Sequence, residues 1–448
     1  MKRRDLLNNA ERAVETAKKY GAHLAEAYVN NNKELSIDVR QGQVETMKLA
    51  EESGLGLRVL VDGRVGFAFT SDLQPGSIEQ TARQAFANAA STAPDQNRNL
   101  PRAFPDYPRL DLYDRQIALT SVEKKIAMAK TMEEQARSYS PQIKVVESSS
   151  YQDGDVEVAV SNSLGVSLSY RGTYCGVYIS LVAGEGDDYQ TGVDLDFNLS
   201  YEKLDPVKVG KTAAQRAVRM LGAKPVNSAQ VPVILDPYVA VGFLGLLGPA
   251  LTGEAVQKGR SLFARKLGQQ IASDKINIID DGTLAEGLAS SPFDGEGYPT
   301  SRTTLVQSGV LEGFLHNTYT AAKDGVSSTG NGTRNSFKST PEVGTTNFFI
   351  EAGTASPEDL IKGLTEGFYV TEVMGLHTAN PISGDFSLGA AGLWIKNGEI
   401  ARPVKGVALA GNMVDLLKNI DRVGNDLCFF GGQGAPTLRI ASMSISGH

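Results

Sequence analysis

The stretch LTGEAVQKGRS (251–261) sets a glutamate between two positions where a metal site would carry histidines. A zinc-protease motif of the form H-E-x-x-x-H would place its imidazoles where Gly253 and Lys258 stand, with Glu254 as the residue that activates water. Gly253 offers no ligand, and the ammonium of Lys258 would repel a divalent cation. The segment is therefore either an emptied zinc site or a helix start in which Glu254 favours the N-terminal dipole. Arg260, two residues beyond Lys258, adds a cation suited to carboxylates or carbonyls.

A second group of polar residues follows. In SSPFDGEGYPTSRT (290–303), Asp294 and Glu296 stand two apart among glycines, where they could grip a cation or an amine. Carboxylates accepting from backbone N–H groups of a turn account for the same residues more simply. In SSTGNGTRNS (327–336), which carries Asn331 and Arg334, small residues would let a ligand or an extended peptide approach the backbone. A flexible surface loop reads the same way.

Other chemistry finds little support. The four histidines His23, His316, His377 and His448 are too scattered for a local chelate, and His316 and His377 are expected to be hydrogen-bonded structural residues, His448 exposed. Cys175 and Cys428 form no C-x-x-C, so a disulfide scaffold is excluded and a reducing compartment fits. Cys175 sits in an expected strand, where it reads as a small buried hydrophobe. Gly210-Lys211-Thr212 lacks the glycine a phosphate loop needs five positions earlier, where Asp205 stands; Asp205-Pro206 reads instead as an N-cap and first helical residue. Neither G-x-G-x-x-G after a strand nor G-x-S-x-G is present.

The elements that must position these residues emerge from patterning. At 448 residues two or three domains are expected, since a domain usually takes roughly 100–200. Residues are 41% hydrophobic and 21% charged, and 44 basic against 51 acidic side chains give a net charge of −7, a poor match for nucleic acid. MKRRDLLNNAERAVETAKKY has a basic start but no apolar export core. Its Leu6, Leu7, Ala10, Val14 and Ala17 fall at helical spacing instead. No apolar run of about 18 residues exists to span a membrane. A cytoplasmic location is expected.

After that helix, HLAEAYVNN, ELSIDVRQ, QVETMKLAEE, LGLRVLVDG and RVGFAFTSD read as an antiparallel meander, closed by a helix beginning after Pro75-Gly76. A linker rich in proline and polar residues follows. The order then recurs: a helix near VEKKIAMAKTMEEQARSY, five strand-like segments from IKVVESSSYQ to YQTGVDLDFN, and the helix DPVKVGKTAAQRAVRML. From about 229, apolar runs and glycine-rich hairpins, with Asn397-Gly398 a strong turn signal, indicate a mainly β domain with one or two helices. The expected fold class is α+β, a duplicated helix and antiparallel-sheet N-terminal half followed by a mainly β C-terminal domain. Its expected bounds are 1–95, a linker 96–118, a second unit 119–225 and 226–448.

Together LTGEAVQKGRSLFARKLGQQ, the long segment from SSPFDGEGYPTSRT to GNGTRNS, GDFSLGAAGLWIKNGEIARPV, GAPTLRIASMSISG and the N-terminal VETMKLAEESGLGLRVLVDGRVGFAFTSD resemble the TldD/PmbA family over nearly the whole chain. The resemblance implies two branches. The TldD-like one binds zinc through H-E-x-x-x-H and a cysteine from a glycine-rich C-terminal segment. Histidines five apart stand about 140° apart on a regular helix and need a distorted turn to share a metal. Here GNDLCFFGGQGAPTLRI is shorter, and Cys428 has no convincing equivalence. RSLFARKLGQQ and FDGEG resemble the other branch, PmbA or TldE.

That likeness implies a subunit without zinc of its own that pairs with a TldD-like, zinc-bearing homologue, or with itself, in processing peptides or unfolded chains. The family's association with gyrase modulation is not matched by any basic stripe. Glu254, Lys258, Arg260, Asp294, Glu296, Asn331 and Arg334 are the expected cleft residues. Two alternatives stand: a hydrolase with a noncanonical site built from Glu254, Asp294, Glu296 and His316, and an adaptor without peptide chemistry.

Overall fold

The computed structural model of the chain describes residues 3 to 447. Helix α1 (Arg3–Lys19) turns Leu6, Ala10, Val14 and Ala17, each at most 5% exposed, onto a sheet. Strands β1 (Leu24–Arg40), β2 (Gln43–Val61) and β3 (Arg64–Thr70) follow as an antiparallel meander, and helix α2 (Pro75–Ala89) closes the unit. Gln41-Gly42 and Asp62-Gly63 join the strands with positive φ at both central residues, the turn hand that matches strand twist. Pro75 is the first residue of α2 rather than a stop before it, because its missing N–H is one the first turn leaves unused.

The five short strands expected before residue 72 are three long ones. HLAEAYVNN and ELSIDVRQ run together as β1, and QVETMKLAEE and LGLRVLVDG as β2. Asn30, Asn31 and Asn32 look like a break, but β1 is flanked by a strand on either side, and Asn31 pairs with both Ser53 and Glu157. Two ladders outweigh a weak local preference.

The second unit repeats the order. After the short helix α3 (Arg115–Leu119) come α4 (Val122–Tyr139), strands β4 (Ile143–Asn162), β5 (Ser167–Glu185) and β6 (Asp188–Asn198), and helix α5 (Pro206–Val218). All six strands make one antiparallel sheet in the order β3-β2-β1-β4-β5-β6, so the repeats join through β1 and β4. Two cores lie under the helices. Ala25, Ala27 and Val29 of β1 pack in the first with α1 and α2, and Leu35, Ile37 and Val39, on the same face of the strand, pack in the second with α4 and α5. Cys175 is buried in that second core, where burial pushes its thiol up to about 12. Asp205 caps α5 through Lys208 N. A Cβ on Gly210 would stand 2.3 Å from Met132 O, so that glycine serves close packing of α5 on α4.

The C-terminal half begins with β7 (Ala229–Leu235), α6 (Pro237–Leu247), α7 (Gly253–Gln257), β8 (Ile278–Asp281), β9 (Arg302–Gln307) and β10 (Val310–Leu311). Helix α8 (Thr318–Asp324), the short pair β11 (Gly332–Thr333) and β12 (Glu342–Val343), β13 (Phe348–Ile350), α9 (Pro357–Lys362) and β14 (Glu366–Met374) come next. The chain ends with β15 (Asp385–Lys396), β16 (Glu399–Asn412), α10 (Met413–Lys418), β17 (Ile420–Val423), β18 (Cys428–Phe430), β19 (Gln433–Ala435) and β20 (Leu438–Ser446). One sheet runs β10-β9-β8-β13-β19-β18 and the other β16-β15-β14-β7-β20-β17, the latter closed into a barrel by pairing of β16 with β20. Asn397-Gly398 is a two-residue hairpin, as expected. The helices number five among the described residues rather than one or two; four are seven residues or shorter, too brief to leave a periodic signal.

The two halves meet on the face of the large sheet opposite its helices. Phe293 packs against Val158, Val160 and Val166, with Tyr28 and Tyr170 beside it. Residues 91–114 form no regular element, yet they are anchored: Leu100 and Leu112 are buried, and Tyr107 Oη donates to Gly297 O at 3.2 Å. No helix among the described residues is long and apolar enough to cross a membrane.

Candidate functional site

Helix α7 is built by its surroundings more than by its own five residues. Thr252 is its N-cap, with Oγ1 accepting from Ala255 N at 3.2 Å and donating to Pro249 O at 2.9 Å. Gly253 N donates to Leu315 O and Leu315 N to Leu251 O, stitching the helix start to the segment that carries His316. A Cβ on Gly253 would lie 2.2 Å from Cε1 of the His316 ring. The imidazole of His316 thus fills the space that a side chain at 253 would need.

That imidazole is buried, bonds Thr320 Oγ1 through Nδ1 at 3.2 Å, and has its pKa lowered by burial. One turn along, Lys258 Nζ holds Glu254 Oε1 at 2.7 Å. The pair is half-exposed and worth only about 0.3–0.5 kcal/mol, but it occupies the carboxylate that the motif would leave free for water. The residues at these positions do not suit a zinc ion: one has no side chain, one is a cation, and the nearby imidazole is committed to packing and a hydroxyl. Among the described residues, no group of three or more His, Cys, Asp or Glu is placed to hold a metal.

Glu254, Lys258 and Arg260 line an open cleft of about 620 Å3, a size that suits a peptide segment. One wall is the end of α6 with Gly245 and Gly248, and the others are Val343 to Thr345, Pro381-Ile382 and Gln433. Arg260 is exposed, and its side chain makes no hydrogen bond or ion pair among the described residues. Asn331 stands behind the wall: its Nδ2 donates to Gly344 O and to Asp280 Oδ2, and Thr329 Oγ1 donates to its Oδ1. Asp280 also accepts from Thr346 N and Oγ1. Burial still pushes Asp280 up to about 6, against those hydrogen bonds.

Asp294, Glu296 and Arg334 are brought together elsewhere, in the seam between the halves. Asp294 Oδ1 accepts from Glu296 N and Tyr298 N and Oδ2 from Gly332 N, which makes it the turn carboxylate of the simpler reading. Burial, and then Glu296 nearby, push its pKa up. Glu296 Oε1 accepts from Arg58 at 2.9 Å and Oε2 from Thr318 N at 2.8 Å. Arg58 also holds Glu26 at 2.8 Å, and Arg334 closes the chain on the other oxygen of Glu26. All four charged side chains are at most 5% exposed. They form a buried relay of opposite charges across the seam, and none of them lines the cleft.

Glu26 and Arg58 were missed in sequence. The available signal was one charge inside each of the apolar runs LAEAYV and LGLRVLV. Gly54 and Gly56 in β2 admit Phe337 at the same seam, since Cβ atoms there would stand 2.3 Å from its ring and 2.1 Å from its carbonyl oxygen. His377 lies in a short 3-10 turn and His23 beside Asp62 at 3.6 Å, neither among the residues that line the cleft, and His448 falls outside the described residues. Cys428 is an exposed residue of β18 and is not among the cleft residues.

Comparison with known proteins agrees along the chain. Family models for PmbA/TldA metallopeptidase domain 1, central domain and C-terminal domain match residues 25–89, 116–221 and 228–447. A metalloprotease PmbA of Escherichia coli O157:H7 is 31% identical over 95% of this chain and 92% of its own length. A solved structure from Thermotoga maritima, described as a candidate modulator of a DNA gyrase, superposes with a TM-score of 0.91 at 29% identity, covering 98% of this chain and 99% of that one. TldE of Thermococcus kodakarensis has the same fold, with a TM-score of 0.92 over 98% of this chain and 100% of its own at 24% identity.

Proposed function

Given that this chain belongs to the PmbA/TldD metallopeptidase family, we propose that it is the PmbA/TldE-type subunit of a cytoplasmic complex that processes peptides or unfolded chains, with the zinc carried by a TldD-like partner. The observation that carries this reading is the filled motif: His316 stands where a side chain at 253 would go, and Lys258 occupies Glu254. No hydrolytic step is assigned to this chain. Its contribution is a cleft beside the partner's site. Gly245, Gly248 and Gly344 let an extended backbone approach, Ile382 offers an apolar contact, and Arg260 is the cation free to take a carboxylate or carbonyl.

The distribution of side chains weighs against a hydrolase built from Glu254, Asp294, Glu296 and His316. Two of those carboxylates are satisfied in the seam and His316 is bonded to Thr320. Elemental analysis of the purified chain, dialysed against a mild chelator, tests the zinc-free role. The expected content is far below stoichiometric; about one retained zinc per chain would contradict it.

A further inference from the structure

A second cavity, about 150 Å3, lies at the N-terminal end of α6, whereas the cleft lies at its C-terminal end; it sits between β6 and the end of α5 on one side and β14 and β18 on the other. Arg219 and Glu372 both line it. Neither side chain makes a hydrogen bond or ion pair among the described residues, and Arg219 Nε is buried without a partner. That Nε is costly to hold, since it has given up water and gained no hydrogen bond, although Arg219 as a whole is only partly buried. Burial lowers its pKa, opposed by Asp236. The neighbouring Arg216 is spoken for by Asp194 and Val193 O, each at 2.8 Å.

The rest of the lining is mixed, with Tyr238 and Phe430 as an aromatic wall. Tyr238 and Phe430 meet edge to face, with ring centroids 5.2 Å apart. Asp236 already accepts from Tyr238 N and Tyr369 Oη at 3.1 and 3.2 Å, and Glu372 is the exposed carboxylate at the rim; an anion alone would face that carboxylate and a cation alone would face Arg219, so neither suits the cavity. A molecule carrying both charges on a compact apolar body does. At about 150 Å3 the cavity matches an engineered one that accommodates benzene, which is room for the apolar side chain with the charged end at the exposed rim beside Glu372.

We propose that this cavity is a binding site for a free apolar α-amino acid of about leucine size, with the carboxylate on Arg219, the ammonium toward Glu372 at the rim, and the side chain against Tyr238 and Phe430. The site is separate from the peptide cleft and does not depend on the role assigned to it.

Isothermal titration of the full chain with L-leucine tests this, with valine, isoleucine, methionine and phenylalanine alongside. Binding of at least one is expected, with Kd on the order of 0.1–1 mM. Arg219→Met is expected to weaken it on the order of 10- to 100-fold, the scale of a hydrogen bond to a charged group. Tyr238→Ala guards against a folding artefact, because Tyr238 is 48% exposed, and it should weaken binding with an unchanged melting temperature. 4-Methylpentanoate, which lacks the amine, and 3-methylbutylamine, which lacks the carboxylate, should each bind on the order of tenfold more weakly than leucine. No heat from any of the five amino acids at about 10 mM would overturn the proposal. So would binding unchanged by both substitutions, or 4-methylpentanoate binding as well as leucine.

Discussion

A methyl group on Gly253 would stand 2.2 Å from the ring of His316, so restoring the motif's two histidines requires that ring to move. Gly253→His with Lys258→His is expected to remain without tight zinc and to lose about 1–3 kcal/mol of stability, the usual penalty of overpacking. Zinc titration and urea unfolding check both; stoichiometric tight zinc would show that His316 gives way easily. Asp280 offers a pH test. Its pKa stands at about 6 against an ordinary 3.8, so the native state holds the proton more tightly than the unfolded chain does. The stability this contributes is complete below about pH 3.8 and lost as pH rises through about 6. In Asp280→Asn, the loss between pH 3.5 and 7 should be smaller than in the unaltered chain by about 3 kcal/mol, measured by denaturant unfolding. What was legible at this scale was local. The Asp205 cap, the Asn397-Gly398 turn and the missing imidazoles depend on adjacent residues. That His316, 63 positions after Gly253, fills the gap is a tertiary fact with no local trace.

Strands of 17 to 20 residues are the elements on which the N-terminal half depends, and they carry charge across the seam. Arg58 on β2 sits between Glu26 and Glu296; burial alone would lower its pKa, but the two carboxylates outweigh it and leave it raised. Arg58→Met should therefore cost about 3–5 kcal/mol, because it strands buried carboxylates, and urea unfolding of the variant beside the unaltered chain measures it. A loss within about 0.5 kcal/mol would mean that water reaches the seam. The repeat of helix, strands and helix was legible because each apolar pattern is local. The strand lengths were not, since polar runs such as Asn30 to Lys33 break the pattern while both neighbouring ladders continue through them. Asp294, Glu296 and Arg334 were visible as a charged group, but their place in the seam is set by how the halves dock.

At the scale of the whole molecule, one sheet unites the two repeats and presents its helix-free face to the C-terminal half, leaving the cleft of Glu254, Lys258 and Arg260 open. Family membership and fold class followed from motifs spread over the chain. The cleft could be only partly drawn, because Gly344, Ile382 and Gln433 reach it from three separate segments. Whether that cleft completes another subunit's site is the central claim. The direct measurement is peptide hydrolysis by a purified zinc-bearing TldD-like homologue, alone, with this chain, and with its Arg260→Glu variant, with association followed by light scattering. The account predicts a complex in which this chain changes the rate or the peptide preference, and in which Arg260→Glu diminishes the change most for acidic peptides. A homologue that neither binds this chain nor alters its rate or preference on mixing would contradict it.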